Sequence, residues 1–201
     1  MRAFHKVISH IFHPLFIPIV GTLIYFRVTP KYTPLELQSG NILPIFILTV
    51  IIPIICFFIL KNIGLVNSIF MPSIKERKYP LYISIALLLM VFLKVIPSNF
   101  IVELNYYFLG LISASVMALL LLFANFKSSI HMMGMGSILM FLVSLSIHFE
   151  MNITLGISIL TLATGLVATS RLYLKAHNKV ELLIGFIIGF TSQLLTVRFW
   201  I

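Results

Sequence analysis

The segment from Ser170 to Glu181 carries Arg171, Lys175, His177, Lys179 and Glu181 in quick succession. If His177 to Glu181 is helical, the two are four apart and share a face. A carboxylate beside an imidazole selects its tautomer and raises its basicity, which suits nucleophilic or general-base work. Arg171 adds a planar fork matched to phosphate oxygens. The competing reading is an ordinary basic loop with a bystander histidine.

A second cluster is Lys127-Ser128-Ser129-Ile130-His131, which opens an apolar stretch. Ser128 or Ser129 can cap a helix there. Helix starts offer free N–H groups to anions, so a cation, hydroxyls and a histidine make a phosphate corner. A third cluster, Ser73-Ile74-Lys75-Glu76-Arg77-Lys78-Tyr79-Pro80, precedes another apolar stretch. Its three cations could clamp an anion, form a solvated loop or bind lipid headgroups.

The elements that must position these residues are read from composition. Hydrophobic residues make up 60 % of the 201, charged residues only 9 %. A soluble domain carries roughly 25 % charged residues, so this chain lacks the charge to cover a water-facing surface. The expectation is an all-α polytopic membrane bundle of six to seven helices, one integral membrane domain over residues 1–201. A helix needs about 20 apolar residues to cross the hydrocarbon core. Seven segments qualify, at about 14–29, 42–60, 81–97, 104–124, 131–149, 152–170 and 181–198. The three clusters are separated by even numbers of crossings, so all lie at one membrane face. Ten of the fourteen Lys and Arg fall on that face or the N-terminus that shares it. The positive-inside rule makes it cytoplasmic. Once the site cations Lys75, Arg77, Lys127 and Arg171 are set aside, that bias becomes weak. No basic soluble module for nucleic acid is visible, and the single Cys56 excludes a disulfide framework.

Ser170-Arg171, five residues, His177, three residues and an acid resemble the third signature of the type-2 phosphatidic acid phosphatase superfamily, Ser-Arg-x5-His-x3-Asp, with Glu181 in place of Asp. Ser128-Ser129-Ile130-His131 is similar to its second signature, Pro-Ser-Gly-His, with Ile130 in place of Gly. The first signature, Lys-x6-Arg-Pro, is compressed here to Lys75, Arg77 and Pro80, and Lys127 is a substitute for its lysine. The resemblance covers about residues 73–190. It implies a metal-independent lipid phosphatase without cofactor, in a bacterial cell membrane, acting on phosphatidic acid, phosphatidylglycerol phosphate or a polyprenyl diphosphate. His177 would attack phosphorus, Glu181 orient it, and His131 protonate the leaving oxygen. Arg171, Ser170, Ser129, Lys127, Arg77 and Lys75 would hold the phosphate.

The alternative is a catalytically impaired relative that binds or moves anionic lipids. His5, His10 and His13, with Arg2 and Lys6, read as an interfacial amphipathic segment and not as a metal site. The stretch lacks a cleavage site and does not read as a removed signal. His148 and Glu150 are expected at the far interface, and Lys94 to snorkel.

Overall fold

The computed structural model describes residues 1–67, 73–96 and 100–201. Helices account for the regular structure, and no strand occurs among the described residues. Nine α-helices are described: α1 (Arg2–Ile11), α2 (Ile17–Val28), α3 (Leu35–Phe46), α4 (Ile52–Asn62), α5 (Ile74–Met90), α6 (Val102–Phe123), α7 (Ile130–His148), α8 (Thr154–Tyr173) and α9 (Lys179–Val197). They combine into seven spans long and apolar enough to cross a membrane, from Arg2–Val28 to Lys179–Val197. The chain is an all-α polytopic bundle.

The first span differs from the expected 14–29, because the helix begins at Arg2 and breaks. Pro14 lacks an N–H and disfavours helical backbone in the residue before it. His13 is accordingly extended, and a 3-10 turn, Pro14–Phe16, leads into α2. The second span joins α3 to α4 through a widened π-helical turn, Ile47–Ile51. Pro53, two residues beyond it, cannot donate to the carbonyl four residues back, so the wider turn accommodates the ring. The third span starts at Ile74, earlier than expected, and ends in a second π turn, Val91–Val95. Residue 97 of the expected third helix, and residues 68–72 of the segment before it, lie outside the described residues.

Helix α7 forms the centre. Most of its side chains are buried, from Met132 to Leu145. It packs along α9 with almost no side chain between the two backbones. A Cβ at Gly185 would strike the Ser129 carbonyl, and one at Gly189 the Met133 carbonyl. Small residues let membrane helices approach this closely. Tyr107 of α6 stacks on Phe141 of α7 at 4.3 Å and donates its hydroxyl hydrogen to the Ile17 carbonyl at 2.8 Å. Gln193 of α9 donates to the Tyr107 carbonyl at 3.0 Å. Helices α2, α6, α7 and α9 are thereby tied together beneath the clusters found in the sequence.

Candidate functional site

Four helix ends meet at one end of the bundle, and each is fixed by local sequence. Helix α5 begins at Ser73, whose hydroxyl accepts the Glu76 N–H at 3.2 Å. Glu76 is held by Ser73 and by Asn67. The Ser-x-x-Glu spacing is that of a capping box, so residues 74–80 are helix and not the loop expected. Arg77 then lies within the first turns of α5 and is buried. Lys75 is exposed, and no hydrogen bond or ion pair of Lys75 is found among the described residues.

Helix α7 begins at Ser129, whose hydroxyl accepts the Met132 N–H at 3.4 Å. The Ser129 N–H donates to the Glu181 carbonyl at 3.0 Å, which clamps the start of α7 to the start of α9. His131 is thus set in the first turn of α7.

Helix α8 ends with Lys175 in the left-handed region, at φ 53°. The Ala176 N–H donates to the Arg171 carbonyl at 3.1 Å and the Lys175 N–H to the Leu172 carbonyl at 2.9 Å. These two bonds are the Schellman arrangement. The turn reverses the chain within a few residues and brings His177 back over Arg171.

Helix α9 opens with Asn178 as N-cap and Glu181 at the third helical position, in a reciprocal capping box. His177 therefore precedes the helix, and its contact with Glu181 is not made across a helix face as the four-residue spacing predicts. The carboxylate instead folds back over the cap. It lies 2.6 Å from His177 Nδ1 and also accepts the Asn178 N–H at 3.4 Å.

Basic side chains gather around this pair. Arg77 and Arg171 act electrostatically on His177, and Arg77 on Glu181. Lys127 is within reach of Arg77, Arg171 and Glu181. Burial lowers the Lys127 ammonium pKa from its ordinary value; Arg77 and Arg171 add to this and Glu181 opposes it. Burial lowers the His177 pKa to about 4, against the hydrogen bond that His177 donates to Glu181 and with help from Arg77 and Arg171. His177 is 8 % exposed and Arg171 8 %, so both are largely removed from water. Arg171 Nε is buried without a hydrogen-bond acceptor among the described residues. The corner is rich in donors and poor in acceptors, and Glu181 is already engaged. An anion with several oxygens is the complementary ligand.

His131 faces the same corner, where Arg171, His13 and His177 act on it electrostatically. Its Nε2 lies 3.1 Å from the Ser9 carbonyl. A carbonyl can only accept, so this nitrogen carries the proton. Ser128 and Ser129 are buried beside it. Ser170 is also buried, and its hydroxyl lies 3.0 Å from His5 Nδ1.

Helix α1 completes the corner, a role the sequence reading did not assign to it. His5 stacks on Tyr173 at 4.2 Å besides reaching Ser170. Ser9 reaches His131, and His13 meets the His131 ring edge-on. Phe4, Val7 and Ile11 remain exposed on the helix. His5 and Ser9 are four apart, opposite this apolar stripe, and that spacing is the one local signal that they face protein. Among the described residues no group of three His, Cys, Asp or Glu side chains could hold a metal ion.

A second polar cluster sits at the other end of the bundle. Glu103 is 2 % exposed. It accepts from Tyr25 at 3.0 Å and Lys31 at 2.5 Å, and lies 3.3 Å from His148 Nε2. His148, expected at the far interface, converges there with Lys31 on one carboxylate.

Comparison of the chain with protein-family models, with curated proteins and with solved structures returns no match.

Proposed function

We propose that this membrane protein is a phosphatase of lipid phosphates or diphosphates that works through a phosphohistidine on His177. The observation that carries the reading is the 2.6 Å contact between His177 Nδ1 and Glu181. With Nδ1–H donating to the carboxylate, the lone pair of the neutral ring resides on Nε2, the nitrogen free to attack. Burial keeps that ring neutral at ordinary pH. Arg171, Arg77 and Lys127 supply the charge that the phosphoryl oxygens require.

The reaction runs in two steps. Nε2 of His177 attacks phosphorus, an N–P bond forms, and the P–O bond to the lipid breaks. His131, in its imidazolium form, keeps Nε2–H on the Ser9 carbonyl and gives its second proton to the departing oxygen, becoming neutral. Water then attacks the phosphohistidine, passes a proton to His131 and breaks the N–P bond, releasing inorganic phosphate. The acyl or prenyl chains remain among the apolar helices throughout.

A second reading is a non-catalytic binder of anionic lipids. It is favoured by the Ser9 carbonyl, which already accepts a hydrogen bond from His131 Nε2. Phosphate release from phosphatidic acid, phosphatidylglycerol phosphate and polyprenyl diphosphate in mixed micelles separates the two. The wild type is expected to release phosphate and His177→Ala to release none. An alanine variant as fast as wild type would refute His177 as nucleophile. Trapping of an acid-labile phosphoryl group on the wild type would exclude the binder.

A further inference from the structure

His13 is a histidine that the phosphatase reading leaves without a task, and its geometry gives it one within that reading. Its Nδ1 accepts the Leu15 N–H at 3.2 Å, as the cap of the Pro14–Phe16 turn. That nitrogen therefore holds a lone pair, and the neutral ring carries its proton on Nε2. The backbone thus makes His13 a donor of fixed tautomer.

The ring is aimed at the phosphate corner. It meets His131 edge-on, with centroids 5.4 Å apart and planes at 79°. It also lies within electrostatic reach of Arg171. Ser9, one turn earlier, touches His131 through its carbonyl. In the proposed reaction His131 stands at the oxygen that departs from phosphorus. A donor packed against His131 and near Arg171 borders that same oxygen and the phosphoryl group attached to it.

We propose that His13 Nε2–H donates to an oxygen of the substrate phosphoryl group on its leaving side, so that the N-terminal segment is part of the substrate site. The inference rests on the phosphatase reading for the word substrate, but its binding claim stands on the anion alone.

Two substitutions separate this role from that of a cap. In His13→Asn the side-chain oxygen can accept the Leu15 N–H, as Asn does at helix starts, but nothing reaches the Nε2 position. In His13→Gln the amide nitrogen places an N–H near the Nε2 position. Inorganic phosphate affinity is measured by calorimetry on the full chain in detergent, alongside kcat and KM for phosphatidic acid in mixed micelles. Loss of a hydrogen bond to a charged group is expected to weaken phosphate binding by about tenfold to a hundredfold in His13→Asn. His13→Gln should recover part of it. Asn binding as tightly as wild type overturns the proposal, and so do Asn and Gln variants that are equally weak. If wild type releases phosphate through His177 and His13→Asn behaves identically, His13 alone fails. If wild type binds phosphate in a His13-dependent way and releases none, the phosphatase reading fails and the His13 contact stands. Wild type that neither binds nor releases phosphate removes both.

Discussion

Glu181 reaches backward across the start of its own helix to place a carboxylate oxygen 2.6 Å from His177 Nδ1. The same side chain closes the capping box on Asn178. One residue thus orients the proposed nucleophile and starts the helix that carries it. Replacing Glu181 with Gln keeps groups able to satisfy the cap and removes the negative charge. We expect Glu181→Gln to lower kcat for phosphate release by about a hundredfold, the scale of a lost acid–base partner, with KM little changed. Glu181→Ala should lose the cap as well, at about 1 kcal/mol of stability. Steady-state kinetics and thermal unfolding in detergent check this. A Gln variant with wild-type kcat would deny Glu181 its orienting part.

The state of His177 is itself measurable. Burial, helped by Arg77 and Arg171, lowers its pKa to about 4. Between that value and the ordinary histidine value of about 6.5, the folded chain binds fewer protons than the unfolded chain. Stability is then expected to fall as pH drops across this window, while the folded imidazole stays neutral until its lower end. Nitrogen-15 NMR of labelled histidine in detergent should show His177 titrating well below the ordinary histidine value. A midpoint at the ordinary value would show that its burial is not what keeps it neutral.

The parts of this site that could be read from sequence are those set within a few residues. Ser129 before an apolar run signals a capped helix start, and the apolar segments from residue 104 onward match α6 to α9 within a few positions. The parity of crossings alone places His131, Arg171 and His177 at one end. The four-residue spacing from His177 to Glu181 fits a helix face and a capping box equally, and Asn178 decides for the cap. Lys75 and Arg77 stand in one basic run, and the cap at Ser73 sets the helix phase that leaves Lys75 exposed and buries Arg77. The place of α1 was illegible because its contacts are with residues far along the chain. Ser9 meets His131 and His5 meets Ser170, and no local pattern encodes such pairings.

The close approach of α7 and α9 offers a test of what positions the site. A Cβ at Gly189 would meet the Met133 carbonyl, which is backbone and cannot swing aside. Gly189→Ala must separate the two helices, and with them the Ser129–Glu181 clamp. We expect a loss of about 1–3 kcal/mol, the usual cost of overpacking, together with reduced phosphate release. Gly165→Ala, on α8, is the control, since a Cβ there meets nothing within 4 Å. It should melt at or above the wild-type temperature. Equal melting of both variants would contradict the packing described.

The cluster around Glu103 should matter for stability and not for the reaction, because it occupies the opposite end of the bundle. The cost of losing Glu103 falls unevenly on its three partners. The Lys31 side chain is 42 % exposed and that of His148 25 %, so each can turn toward water. Tyr25 is 0 % exposed, and its hydroxyl would be left buried with its acceptor gone. An unsatisfied buried hydroxyl costs about 1–3 kcal/mol. We therefore expect Glu103→Ala to lower the melting temperature in detergent while the surviving folded protein releases phosphate at the wild-type rate. Adding Tyr25→Phe removes the stranded hydroxyl, so the double variant should be more stable than Glu103→Ala alone, although Tyr25→Phe by itself destabilises wild type. The reversal of sign is the informative outcome, since it isolates the Tyr25–Glu103 bond from the exposed charges around it. If Tyr25→Phe destabilises both backgrounds equally, the two residues are not coupled. If Glu103→Ala abolishes phosphate release without changing the melting temperature, the far cluster belongs to the reaction after all.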